Sequence, residues 1–232
     1  MRVSIKSLCF TLAIAVLSFV FSCKKETALG GDIAYVAVYN AIPAATALNF
    51  LIDNKVVNGT SPLVFGGNTA YTGVYQGNYS TQTVITNSST PLTAVPVSFE
   101  GKVSRSLFLV GSTTAVDYFW ITDDLTLLNA ERPKVRFLNM STDAGPLVLE
   151  VQLLGTKTTF AERAYQQVTD YTELTAGTEY TINLVNNATG ANVATTVRAT
   201  FVKGKLYTIW AKGLSAATLD AQKLSIQVSV QN

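Results

Sequence analysis

Residues 36–40 read Val-Ala-Val-Tyr-Asn and residues 135–139 read Val-Arg-Phe-Leu-Asn, so a strand-forming run closed by asparagine recurs after 99 positions. The recurrence continues along the chain. Tyr71-Thr-Gly-Val-Tyr-Gln-Gly77 returns as Tyr171-Thr-Glu-Leu-Thr-Ala-Gly177, 100 positions on. Phe99-Glu-Gly-Lys102 has a looser counterpart in Phe201-Val-Lys-Gly-Lys205. Solenoid repeats run to about 20–50 residues, whereas about 100 residues is the length of a whole domain. A chain of 232 residues has room for two such copies.

Each copy reads as strands. In the first, the segments 35–39, 48–52, 79–86, 95–99, 106–110 and 118–122 are short and rich in β-branched and aromatic residues. Gly, Pro, Asn, Asp or Ser bounds each of them, which is the pattern of strands between turns. No stretch sustains a 3.6-residue apolar period with caps, and the best helical candidate, 159–167, is brief enough to be a loop. The expected fold class is all-β, with two tandem Ig-like β-sandwich domains at 32–128 and 133–232. The segment 125–133 reads as the junction, since Pro133 directly precedes the restarted pattern. The asparagine that ends each opening strand can bond neighbouring backbone as the chain leaves the sheet.

The first 31 residues have another character. Arg2 and Lys6 precede about 14 nearly uninterrupted apolar residues ending at Phe21, the layout of a secretory signal peptide over 1–22. As a helix that run is about 21 Å long, short of the roughly 30 Å hydrocarbon core of a bilayer. It closes on Val20-Phe21-Ser22-Cys23, which resembles a bacterial lipobox although Phe21 is bulkier than the usual residue. The resemblance implies cleavage before Cys23 and acylation of that residue, its thiol accepting the lipid. Several acyl chains on one residue give stable anchorage, where one gives only marginal binding. The stretch 23–31 then reads as a flexible, glycine-ended tether. A mature chain of this kind is expected in the cell envelope, lipid-anchored at the outer membrane.

A family resemblance rests on the residues already quoted. The strand ending in Asn, the Tyr-x-x-Val-x-x-Gly turn and the late Lys-x-Tyr-Thr strand, here Lys205-Leu-Tyr207-Thr208, recur together in one bacterial family. The chain resembles the tandem lipoprotein form, of Bacteroidota type, of the domain of unknown function numbered 4397, over about residues 33–229. The first copy departs at Ser106-Leu-Phe-Leu, where Tyr-Thr would be expected. The resemblance implies an Ig-like sandwich and brings no activity or functional residues with it.

Composition restricts the chemistry. The chain has no histidine, which excludes Ser-His-Asp and Cys-His catalysis and the histidine-based metal sites. Cys9 and Cys23 are its only cysteines, so a chain cut before Cys23 has no partner thiol for an internal disulfide. The 17 basic and 15 acidic residues include Arg2 and Lys6 of the leader, so the remainder carries 15 of each. That balance gives no basic face for nucleic acid. Asp123-Asp124 is the one adjacent acidic pair and reads as a turn, without the spaced oxygen ligands of a calcium loop. The expectation is a non-enzymatic chain without metal or cofactor.

Two aromatic groups are the candidate ligand-binding residues. Tyr71, Tyr75 and Tyr79 lie close in sequence, as do Tyr118 and Trp120. Exposed Tyr and Trp faces suit sugar rings or partner side chains, and core filling is the competing role. Trp210, within the last strand motif, reads as core. Three functions compete: an envelope lipoprotein presenting Ig-like modules to a protein or glycan partner, a glycan-binding lipoprotein of a nutrient-uptake system, and a hydrolase using paired carboxylates.

Overall fold

The structure, a computed structural model, describes residues 31–44, 46–127 and 129–231. The leader 1–22, the lipidation residue Cys23 and the tether up to Gly30 lie outside the described residues. From Asp32 onward the chain forms one compact unit, and within it the duplicated sequence has become a duplicated topology.

The first half contains β1 (Ile33–Asn40), β2 (Leu48–Ile52), β3 (Lys55–Val56), β4 (Thr72–Tyr75), β5 (Gly77–Ile85), β6 (Pro91–Phe99), β7 (Ser104–Ser112) and β8 (Ala115–Asp123). They build two four-stranded sheets, β4-β1-β7-β8 and β3-β2-β5-β6. The second half contains β9 (Lys134–Asn139), β10 (Leu147–Leu153), β11 (Thr156–Thr159), β12 (Gln167–Val168), β13 (Thr172–Glu173), β14 (Glu179–Asn186), β15 (Val197–Thr200), β16 (Leu206–Lys212) and β17 (Ser225–Val230). Its sheets are β12-β9-β16-β17, with β13 also on β9, and β11-β10-β14-β15. The order is the same once β13 stands for β4, with β12 in the place of the isolated bridge between Tyr39 and Asn68. In both halves the opening strand runs parallel to the penultimate one, β1 to β7 and β9 to β16. The fold is all-β and sandwich-type, and its strand order differs from the immunoglobulin constant arrangement of four strands facing three.

Three cores hold these sheets. Val36 and Val38 of β1 face Leu48 and Phe50 of β2 inside the first sandwich. Val135 and Phe137 of β9 face Leu149 and Val151 of β10 inside the second. The alternate residues of the opening strands point the other way, into a third core shared by the halves. There Ala37, Tyr39 and Phe108 meet Leu138, Met140 and Trp210. The result is four stacked sheets, the middle two covered on both faces. Strands covered on both faces read as continuous apolar runs rather than alternating ones, and every residue of β9 is buried.

The repeated asparagines perform the role expected of them, twice. Asn40 donates from Nδ2 to the Leu63 carbonyl at 2.9 Å and accepts from the Ile42 amide at 3.0 Å. Asn139 donates to the Gly145 and Arg163 carbonyls at 2.8 and 3.0 Å and accepts from the Ser141 amide at 3.0 Å. Both asparagines are fully buried, and each ties the end of its strand to neighbouring backbone groups. Replacing Asn139 with Ala strands those groups and should cost about 1–3 kcal/mol. Urea denaturation reads this directly, and an unchanged midpoint would show that the loop closes without the side chain.

The segment 159–167 is extended chain, not helix. Its backbone amides pair across to β10, with Phe160 N on Leu149 O and Arg163 N on Leu147 O, both at 2.9 Å. The junction between the halves, after β8 and before β9, is tied down by Lys134 Nζ, which donates to the Thr126 carbonyl at 2.9 Å.

Candidate functional site

Arg136 is the third residue of β9, between Val135 and Phe137, and points into the core between the halves. A guanidinium cannot shed its charge there, so the fold must bring it an anion. It does so with Asp123, the last residue of β8: Arg136 Nη2 lies 2.7 Å from Asp123 Oδ1, both side chains buried. The contact is ionic rather than an aligned hydrogen bond. The other carboxylate oxygen accepts from Tyr71 Oη at 2.7 Å and Ser106 Oγ at 2.8 Å. Arg136 Nε donates to Thr208 Oγ1 at 3.0 Å, and the guanidinium lies 5.1 Å from the centre of the Tyr171 ring. Burial works most strongly against the Arg136 charge, but the facing Asp123 carboxylate together with the Tyr171 and Tyr39 hydroxyls holds the Arg136 pKa above its ordinary value.

The repeat organises this network. Ser104 pairs with Asp123 in β7–β8, and the Gln231 amide bonds the Leu206 carbonyl at the same place in β16–β17. Asp123 and Gln231 are therefore equivalent positions, as are Ser106 and Thr208, and Tyr71 and Tyr171. In the first half the tyrosine donates to Asp123, and in the second Tyr171 donates to Gln231 Oε1. Gln231 Nε2 then crosses to Tyr71 Oη at 3.3 Å and Ser106 Oγ at 3.4 Å, stitching one copy to the other. Beside it Tyr39 stacks on Phe108 at 4.4 Å between centroids, and Trp210 meets both rings edge-on. Burial pushes the Tyr39 hydroxyl up to about 12. It raises Tyr71 and Tyr171 as well, Tyr71 further because the Asp123 charge lies against it. All three phenols stay protonated at neutral pH; Tyr71 and Tyr171 act as fixed donors, while the buried Tyr39 hydroxyl has no hydrogen-bond partner.

A cleft opens on each flank of this lock. One, of about 510 Å³, is lined by Tyr35, Ala70, Tyr71, Leu125, Val230 and Gln231. The other, of about 320 Å³, is polar, with Asp124, Lys134, Arg136, Asp170 and Tyr171 among its walls. A second contact between the halves lies apart from the lock, where Lys212 Nζ sits 4.4 Å from the centre of the Phe65 ring.

The five aromatic candidates are divided by the fold. Tyr71 enters the lock. Tyr75, 46% exposed, stays on the outside of β4. Gly77, at φ 150, carries the chain from one sheet to the other, so Tyr79 leaves its neighbours and packs edge-on against Phe99 at 5.7 Å. Trp120 meets the same Phe99 at 6.1 Å and Tyr118 at 6.5 Å, while Tyr118 Oη bonds Thr83 Oγ1 at 3.0 Å. These rings cross at 65–86° and are half-buried at the rim of the first core. Trp210 is fully buried, as its motif implied. Of the acidic pair, Asp124 does make a turn, accepting from the Thr126 amide at 3.0 Å, but Asp123 continues the strand and holds Arg136. Sequence reasoning missed Arg136, Asp123 and Gln231 as a set. The available signal was an arginine in an apolar strand run, which demands a buried acid.

Among the described residues no group of three or more Cys, His, Asp or Glu side chains gathers as a metal site. No helix among them is long and apolar enough to cross a membrane.

Fold and site together define an all-β protein of duplicated sandwiches fastened through a buried ionic lock. The chain belongs to the family described as Domain of unknown function (DUF4397), which matches residues 34–150 and so includes both Asp123 and Arg136. No curated protein matches it. Among solved structures, it is similar to the family 26 carbohydrate-binding module of Eubacterium rectale Amy13K in complex with maltoheptaose, at 10% identity over 85% of this chain and 95% of that one, with a TM-score of 0.28. A family 41 carbohydrate-binding module from streptococcal virulence factors gives 8% identity, coverage of 84% and 96%, and a TM-score of 0.30. A candidate cell adhesion protein of Bacteroides eggerthii gives 11%, 87% and 96%, and 0.25. TM-scores this low carry no argument about ligand or role.

Proposed function

We propose that the chain is an envelope lipoprotein, cut before Cys23 and acylated there, that presents its paired sandwiches as one stiff contact module to a protein or glycan partner and performs no catalysis. The observation that carries this reading is the lock between the halves. Arg136, Asp123, Tyr71 and Gln231 are used up in holding one sandwich against the other, and the Asp123 carboxylate lines neither cleft and is fully buried. A buried carboxylate already committed to an arginine and two hydroxyls is poorly placed for acid–base work. The same lock suits a body whose two copies must keep one orientation at the end of a tether.

Metabolic labelling with an alkyne fatty acid tests the anchor. The full chain should take up the label and Cys23→Ser should take up none. Undiminished labelling of that variant would overturn the reading.

A further inference from the structure

The face of the first half that enters the shared core is apolar beyond the point where the second half covers it. Along β1 that face carries Ile33, Tyr35, Ala37 and Tyr39, and along β4 it carries Gly73 and Tyr75, Ile33 standing opposite Tyr75 and Tyr35 opposite Gly73. Ala37 and Tyr39 are covered. Ile33, Tyr35 and Tyr75 emerge, 40%, 44% and 46% exposed. The missing side chain at Gly73 lets them close over it, since a Cβ there would lie 3.1 Å from Ile33 Cγ2 and 3.8 Å from the Tyr35 ring. The half-exposed Val230 continues the surface across the 510 Å³ cleft.

The second half offers a control within the same molecule. By the register that equates Val36 with Val135 and Tyr71 with Tyr171, its counterparts of Ile33, Tyr35, Gly73 and Tyr75 are Arg132, Lys134, Glu173 and Thr175. The same surface is thus charged or polar in one copy and apolar in the other. The apolar copy is the one that follows the tether. Ile33 lies ten residues after Cys23, at most about 36 Å when fully stretched and about 17 Å on average for a flexible linker. Tyrosines are among the residues that settle at a membrane–water interface, and an apolar side chain such as Ile33 gains by leaving water at the headgroup–acyl boundary. Lys102, whose amide bonds the Ile33 carbonyl, has its ammonium paired with Asp32 at 3.2 Å, so the cations for headgroup phosphates are Lys24 and Lys25 in the tether itself.

We infer that the Ile33–Tyr35–Tyr75 surface of the first half seats on the lipid bilayer beside the anchor and so fixes which way the paired sandwiches face. This rests on the lipoprotein reading for the origin of the tether. Three side chains bind a bilayer feebly on their own, and the tether supplies the effective concentration that makes the contact persist.

The test supplies the anchor artificially, so its outcome is independent of acylation. Residues 24–232 are held on nickel-chelating phospholipid vesicles by a histidine tag in the place of Cys23. That chain has no cysteine, so Tyr75→Cys carries a single environment-sensitive fluorophore, and Thr175→Cys carries it at the matched place in the second half. The label at 75 should shift to the blue on vesicles and be quenched by spin-labelled lipid, while the label at 175 behaves as in water. Adding Ile33→Ser and Tyr35→Ser should abolish the difference. Equal signals at 75 and 175, quenching that survives the two serines, or a blue shift at 75 without vesicles would each overturn the inference, the last by assigning the surface to a second copy of the chain. If the fatty-acid experiment fails while this one succeeds, the surface stands and the natural anchor does not.

Discussion

Arg136→Ala will lower the stability of the whole unit by about 3–5 kcal/mol, the cost of leaving one member of a buried ion pair unpaired. For a unit of this size that is a fall in Tm of roughly 10 °C. Its partner has no alternative cation in the network: Asp123 would keep only the hydroxyls of Tyr71 and Ser106. The double variant Arg136→Met with Asp123→Leu removes both charges and should lose far less, because burying two ions costs nearly as much as their attraction returns. Calorimetry on the singles and the double completes the cycle. A single variant as stable as the parent would mean that water reaches the pair, and the lock would be no lock.

The second large effect concerns the halves as independent bodies. Expressed separately, 32–128 and 133–232 each uncover a face built for the other. The first exposes Tyr39, Phe108 and Ile121, and the second exposes Leu138, Met140 and Trp210. At about 1.5–3 kcal/mol for each fully buried side chain, the loss per half is on the order of 5 kcal/mol, comparable with the whole stability of a small domain. Each half alone should therefore aggregate or melt far below the parent, and the parent should unfold in one transition. Two reversible transitions in the parent, each reproduced by an isolated half, would contradict this.

Much of the fold was legible because the repeat was. The asparagine-closed strands and the Tyr-to-Gly turns each appear twice in sequence and twice in structure, with matching bonds at Asn40 and Asn139. Where the second copy drifted, the reading weakened. The counterpart of β4 is the two-residue β13, and β12 lengthens what is an isolated bridge between Tyr39 and Asn68 in the first half. Between them the Thr169 hydroxyl accepts from the Phe137 amide as Thr69 accepts from Val38, and local pattern did not reveal such short pieces. The aromatic candidates were misgrouped for a similar reason. Tyr75 and Tyr79 share a period-two spacing, and only the sheet crossing at Gly77 separates them. The lock itself depends on pairings more than 100 positions apart, Tyr71 with Gln231 and Ser106 with Gln231, and no local window contains those.

Gln231 has a consequence for the order of events in the life of the molecule. It is the latest residue of the network to leave the ribosome, and its partners Tyr71 and Ser106 lie 160 and 125 positions earlier. Contacts of such separation form slowly and late. A nascent chain therefore cannot complete the network that stitches its two halves together until its far end has arrived.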